Sequence, residues 1–378
     1  MTGEEVKSVI LAALVTVAQF AAAASSIESF IGDGPGKVPG AVVIDLAGGK
    51  LTVRSFGFAD VAARKPMSEN TVGWLASNTK AIACALVLSY AEEGKLDLDA
   101  PISRYLPEWQ GDKAPTLRQL MSHTSGLKFF PELPIDKRPM MLLSRLGAKS
   151  DKAFAPGERF LYSNWGIDVA VACVEAVAGE PWEILLKARI LDPLDMCDAT
   201  FHPTEEQYAR LAKGYVLTDE SPAKEVTVNQ FQHPYSLHSR YPEAGGGLFG
   251  SPMDMIKFFS MIANGGVGLN GKRVLKTETV DVWFEKQTPE RVAERYSFGA
   301  WVSDDSQMMS HGGAWSTWGC AYRASGVARV FFVQHAGGES KGFEEFRSLV
   351  EKEARTSYSP AAATAAGTPL HNTDSFSL

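Results

Sequence analysis

Two β-rich ends around a helix-rich middle are the feature that most restricts how this sequence can fold. Val38 to Leu46 (VPGAVVIDL) and Leu51 to Phe58 (LTVRSFGF) are rich in β-branched residues and are joined by Gly48-Gly49, the pattern of a hairpin. Near the other end, Tyr296 to Val302, Trp315 to Arg323 and Ala328 to His335 are strand-like runs between polar or glycine-rich turns. From Lys80 to Glu93 the apolar spacing is helical, and Gly94 is a natural stop. Between about Asp97 and Lys213, Thr116, Asn164 and Pro181 mark helix starts, with few strand-like runs among them. Ser251-Pro-Met-Asp254 reads as an N-cap, a first-turn proline and an acidic third residue, opening a helix to about Ala263. Gly342 to Arg355 reads as an amphipathic last helix, and the Ala/Thr/Ser-rich tail, 357–378, lacks periodicity and is expected to be disordered.

A chain of 378 residues, 45% hydrophobic and 21% charged, can bury a full core without staples. Its formal net charge of -7, with no clustered Lys or Arg, argues against nucleic acid as a partner. Cys84, Cys173, Cys197 and Cys320 are scattered without zinc or redox spacing, so buried free thiols are expected, with one disulfide left open. Ser8 to Ala24 is apolar and ends in small residues, as a signal peptide does, although Glu4 and Glu5 offset Lys7. The expectation is export to the periplasm or medium with cleavage near Ala24 (signal peptide 1–24), and no membrane span after leader removal. An amphipathic opening helix in a cytoplasmic protein is the alternative.

Three short stretches carry the chemistry. Ser77-Asn-Thr-Lys80 sets a hydroxyl and an amine three residues apart at the start of an apolar helix, on one face. A partly desolvated lysine loses proton affinity and can take the proton of the neighbouring serine. Ser221-Pro-Ala-Lys224 has the same letters, but it lies in a polar stretch with no apolar helix after it. Tyr162-Ser-Asn164 follows Pro156-Gly157. The phenol of Tyr162 becomes a base only where a cation such as Lys80 stabilises its phenolate, and Asn164 can donate to a substrate carbonyl and tie the serine–lysine pair together. His311-Gly-Gly313 precedes a strand-like run, where glycines let substrate lie against the backbone and the amide of Ala314 can face that of Ser77 as an oxyanion hole. His335-Ala-Gly337 is a competitor read as a turn.

SNTK, YSN and HGG, in that order and separation, resemble the S-x-x-K, Y-x-N and K/H-x-G elements of the serine β-lactamases and penicillin-binding proteins. The tyrosine form of the second element is similar to class C β-lactamases, D,D-peptidases, D-aminopeptidases and the carboxylesterases of the same fold. GFADVAARKPMSENT, EEGKLDLDAPISRYLPEW, TLRQLMSHTSGL, FAPGERFLYSNWG, ILDPLDM and AGGGLFGSPMDM extend the resemblance over about Val38 to Gly338. It implies an α/β (α+β) β-lactamase/transpeptidase-like fold, a five-stranded antiparallel sheet flanked by helices with an inserted all-helical domain. The related domain is expected over 25–356, with the α/β part at about 25–95 and 240–356 and the insertion at about 96–239. By the same resemblance Ser77 is the nucleophile, Lys80 and Tyr162 share the acid/base role, Asn164 contacts substrate, and the amides of Ser77 and Ala314 form the oxyanion hole.

The third element departs from the lactamase pattern, because His311 replaces a lysine and Gly312 a hydroxyl residue. Histidine is mostly neutral at pH 7, so substrates bearing a carboxylate lose an anchor. Trp74, Phe129, Phe130, Trp165 and Trp315 flank the motifs and are candidates for an apolar acyl pocket or for core. The expected function is therefore a carboxylesterase acting on small or uncharged esters through an acyl-enzyme. A D,D-peptidase, D-aminopeptidase or weak class C-type β-lactamase on amide or peptide substrates is the alternative, and a non-catalytic peptide or cell-wall binder a second. No G-x-S-x-G elbow occurs, and no histidine pair has zinc spacing, so neither a cofactor nor a metal is expected. His123-Thr-Ser-Gly-Leu127 is read as a scaffold turn ending a helix, and Gly245-Gly-Gly247 as a flexible approach to the helix at Ser251.

Overall fold

The computed structural model describes residues 27–110, 114–129, 144, 147–228, 241–323 and 325–357. The expected leader, the tail beyond Ser357 and the candidate Phe130 lie outside the described residues, and Ser357 itself ends a helix. Phe30–Phe343 forms one compact unit, and 27–29 with 344–357 belong to a second.

The strands are β1 (Gly40–Ala47), β2 (Lys50–Asp60), β3 (Lys65–Pro66), β4 (Gly73–Trp74), β5 (Gly214–Val216), β6 (Lys224–Val226), β7 (Phe249–Gly250), β8 (Trp301–Val302), β9 (Met308–Gly312), β10 (Thr317–Tyr322) and β11 (Ala328–Phe332). The main sheet is antiparallel with the order β3-β2-β1-β11-β10-β9-β8. Its five longer strands are those the resemblance implies. The two-residue strands β3 and β8 extend its edges and bring the count to seven.

At the hairpin, Ala47 pairs with Lys50 across Gly48 and Gly49, both with positive φ (57° and 73°), the requirement of a two-residue turn that follows the strand twist. β1 and β11 are buried nearly end to end, which is why they read as continuous apolar runs rather than alternating ones. The exceptions face each other: Asp45 pairs in register with Arg329 and ion-pairs with it, and Arg54 of β2 reaches the same carboxylate at 3.0 Å.

The helices are α1 (Thr79–Glu92), α2 (Leu117–Met121), α3 (Asn164–Ala178), α4 (Trp182–Leu186, running on as a π-turn), α5 (Glu205–Ala209), α6 (Pro252–Ala263), α7 (Thr277–Trp283) and α8 (Lys341–Ser357). α1 is apolar all round and buried from Thr79 to Tyr90, as a central helix must be. It packs against α3, while α6 lies across β1, β10 and β11. A side chain at Gly319 of β10 would sit 2.0 Å from Phe259 of α6, so a glycine there lets helix and sheet close together. Thr116 and Ser251 cap α2 and α6 through reciprocal capping boxes, as their sequences imply.

Two expectations need correction. The segment 96–239 is not all-helical, since β5 and β6 form a small hairpin in it. Tyr296 to Val302 is a strand only at Trp301–Val302. Ser297 to Ala300 is a tight turn, with the Ser297 amide donating to the Ala300 carbonyl (2.8 Å) and Gly299 at φ 68°. A Cβ on Gly299 would lie 2.7 Å from the Lys80 carbonyl, so this turn seats itself against the start of α1.

Candidate active site

The turn Ala76–Asn78 delivers Ser77 at the entry to α1. Ala76 is held at φ 47°, the left-handed region that costs a side-chain-bearing residue free energy and persists only where the surroundings enforce it. The enforcing contacts are on both sides. Before the turn, β4 pairs with β7 and the Trp74 indole N–H donates to the Gly246 carbonyl at 2.6 Å. After it, Asn78 is 2% exposed, and its amide, turned to satisfy both ends, donates to the His311 carbonyl (3.0 Å) and accepts from the Gly313 amide (3.2 Å).

Lys80, one turn on, is fully buried, with Nζ 3.0 Å from Ser77 Oγ and donating to the Gly245 carbonyl. Burial removes hydration from the ammonium and brings its pKa from 10.5 to about 7, against the pull of Glu243 and Asp168, which favour the charged form. Asp168 of α3 is itself pushed well above the carboxylate range, first by burial and then by Glu243. Near neutral pH the amine is therefore available as a base.

Tyr162 lies on the stretch leading into α3, half-buried, with its hydroxyl 3.4 Å from His311 Nε2, its ring centroid 4.5 Å from Lys80 Nζ, and Ser77 near enough to lower its pKa in part. Burial raises its pKa and Glu243 adds to the rise, so a resting phenolate is disfavoured and the phenol keeps its proton. The phenol thus holds its proton tightly, while the amine gives its proton up near neutrality. Asn164 does not tie the serine–lysine pair together. Its Nδ2 donates to Glu243 Oε1 at 2.8 Å, while its buried Oδ1 has no hydrogen-bond partner among the described residues.

β9 carries His311 and Gly312 to the same place. A Cβ on Gly313 would be 2.5 Å from the Leu75 carbonyl and 2.3 Å from Thr317 Oγ1, so only glycine allows this strand end against the serine turn. Ala314 follows in an exposed turn. His311 is 3% exposed, and burial, helped by the nearby Lys80, lowers its pKa to about 3.

Several contributors escaped the sequence. Glu243, Asp168 and Tyr296 surround the site without a motif of their own, and Asn78 lies inside SNTK at a position given no role. His123, read as part of a scaffold turn, does end α2, at φ 59°, but its ring is fully buried 4.4 Å from that of Tyr162. Gly245, read as a flexible approach, closes on the site, because a Cβ there would be 2.5 Å from the Asn164 side chain. The competing Ser221 and Lys224 are exposed, Ser221 bonding Thr218 at 2.9 Å, and His335 lies beyond β11 beside Ser316. Of the flanking aromatics, Trp74, Trp165 and Trp315 are buried, Trp74 and Trp315 edge-to-face at 5.9 Å, whereas Phe129 is 48% exposed and stacks on Tyr162. All four cysteines are free, and Cys197 is exposed rather than buried. Among the described residues no group of three potential metal ligands occurs, and no helix is long and apolar enough to cross a membrane.

Comparison with known proteins places the chain in a family. Protein Rv1367c of Mycobacterium tuberculosis is 27% identical over 339 residues, covering 75% of this chain and 82% of that protein. Esterase EstB of Burkholderia gladioli is 32% identical over 263 residues, covering 60% of this chain and 66% of the esterase. Among solved structures, EstCE1, described as a hydrolase with promiscuous acyltransferase activity, superposes with a TM-score of 0.72 at 21% identity, over 89% of this chain and 99% of its own, a likeness of fold. The family profile named Beta-lactamase matches residues 27–353, and the chain belongs to that family of serine hydrolases.

Proposed function

We propose that the protein is a carboxylesterase that hydrolyses small, uncharged esters through an acyl-enzyme on Ser77. Neutral Lys80 takes the hydroxyl proton as Ser77 Oγ attacks the ester carbonyl. The amides of Ser77 and Ala314 stabilise the oxyanion, Asn164 contacts the bound acyl group, and Tyr162 protonates the departing alcohol. Water then enters by the same route in reverse and releases the acid.

The observation that carries the reading is the 3.0 Å approach of Ser77 Oγ to a fully buried lysine whose proton affinity is brought near neutrality. Preference for esters over carboxylate-bearing β-lactams rests on His311, which is buried and neutral down to about pH 3 where a lysine would anchor an anion. The relationship to an esterase points the same way.

Intact-mass spectrometry and steady-state kinetics test it together. p-Nitrophenyl butyrate should be turned over and leave a butyryl adduct that is lost in Ser77→Ala, while nitrocefin should be a poorer substrate by at least about a hundredfold in kcat/KM. Retained esterase activity in Ser77→Ala would mean another nucleophile, and nitrocefin turnover equal to that of the ester would make the protein a β-lactamase.

A further inference from the structure

A buried chain of rings runs from the end of α2 to the reactive serine, and the backbone at its two ends dictates where each proton sits. The Ser163 amide donates to Nδ1 of His123 at 3.2 Å, so that nitrogen bears a lone pair and the neutral ring carries its proton on Nε2. His123 Nε2 faces the Tyr296 hydroxyl at 3.2 Å. Tyr296 therefore accepts from His123 and has its own proton to give elsewhere. At the far end, His311 Nδ1 lies 2.7 Å from the Gly312 carbonyl, which can only accept, so His311 is protonated at Nδ1 and presents a lone pair at Nε2.

Two phenols compete for that lone pair. Tyr296 Oη is 3.0 Å from His311 Nε2 and Tyr162 Oη is 3.4 Å from it. His123 and Tyr296 are completely buried and His311 nearly so, and burial keeps both imidazoles neutral. Tyr296 is the closer donor, and its oxygen is already engaged by His123, so the lone pair belongs to Tyr296.

We infer that Tyr296, backed by His123, is a positioning residue that occupies His311 and thereby aims the hydroxyl proton of Tyr162 at Ser77 Oγ and the leaving group. The inference rests on the proposed roles of Ser77 and Tyr162. When the tetrahedral intermediate collapses, the bond from the acyl carbon to the leaving oxygen breaks and its electron pair stays on that oxygen. The oxygen takes the proton of Tyr162, and the Lys80 ammonium, which holds the proton from Ser77, restores the phenol. Without the Tyr296 hydroxyl, His311 Nε2 draws the Tyr162 proton away. An alkoxide then departs unaided, whereas p-nitrophenolate is stable as an anion near neutral pH and needs no proton.

The test compares ethyl butyrate with p-nitrophenyl butyrate, which share an acyl group, through kcat/KM, the constant that reports acylation. In Tyr296→Phe the ethyl ester should lose about tenfold more than the nitrophenyl ester. Added to Tyr162→Phe, the same change should not alter the ratio further, because the proton it aims is gone. Equal losses on both esters, or none, overturn the inference. Activity surviving in Ser77→Ala overturns instead the reading beneath it. Should Tyr296→Phe fail to fold, nitrogen-15 spectra of the histidines in the full wild-type chain decide: Nε2–H at His123 with Nδ1–H at His311 is expected, and the opposite tautomer at either overturns the inference.

Discussion

Exchanging Glu243 for glutamine should move the pH dependence of turnover toward acid. Glu243 is 4% exposed, and its charge is the larger of the two carboxylate influences that hold up the proton affinity of Lys80 against burial. Lys80 must be neutral to accept the Ser77 proton, so kcat/KM should rise with pH through about 7 and then level. At pH 5 only about one amine in a hundred is free, a loss of about a hundredfold from the plateau. Glutamine keeps an oxygen for Asn164 Nδ2, now 2.8 Å away, and deletes the charge. A neighbouring opposite charge is worth about one to three pKa units. Part returns in the variant, because Asp168, raised in part by Glu243, ionises more readily once that neighbour is neutral. The midpoint should therefore fall by about one unit, or about 1.4 kcal/mol, raising activity at pH 5 about tenfold relative to each enzyme's own plateau. p-Nitrophenyl butyrate hydrolysis between about pH 4.5 and 9, with circular dichroism at each pH, measures it. A midpoint that stays put or moves to higher pH would refute Lys80 as the base. Stability carries the matching sign: the unfolded chain binds the extra proton between about 7 and 10.5, so the cost of burying Lys80 is fully felt below about 7 and fades as pH climbs toward 10.5.

Gly313→Ala should cost about 1–3 kcal/mol of stability and more than about tenfold in activity, since the new methyl meets the Leu75 carbonyl and Thr317 Oγ1 and must shift the serine turn. Thermal melts and kinetics on one preparation check both, and an active, equally stable variant would show that this strand end is not fixed by contact. Asp45→Ala removes the carboxylate shared by Arg54 and Arg329 within the sheet, where their side chains are 9% and 3% exposed, and should cost about 3 kcal/mol in urea unfolding. A loss below about 1 kcal/mol would mean that the pair is solvated in solution.

That Ser77, Lys80 and Tyr162 come together was legible because each lies in a short stretch with its own local signal: Ser77 sits in the turn that leads into α1, three residues before Lys80, and Tyr162 at the entry to a capped helix. The hairpin and the caps of α2 and α6 were legible for the same reason. What could not be read was assembled across the chain. Glu243 matters to Lys80 only because its loop folds against Asn164, and Asn78 only because β9 ends beside it. His123 looked like turn material because its backbone is turn material, and nothing local says that its ring reaches Tyr296. The run from Tyr296 mimics a strand because its residues are apolar and aromatic, yet they are apolar to fill the space under α1, where Gly299 touches the Lys80 backbone. The flanking tryptophans carried the same ambiguity, which packing resolved toward the interior.

The pairing of β1 with β11, Val42 opposite Phe332, also has a consequence for how the protein is made. The β1–β2 hairpin leaves the ribosome with one edge satisfied by β2, while the other waits for a partner far downstream, Phe332 for Val42. Until that partner is made, the edge, lined by Val42, Val43 and Ile44, is a sticky template for any other extended chain. Yield in a foreign host should therefore depend more on chaperone supply and a slow expression rate than on the stability of the finished fold.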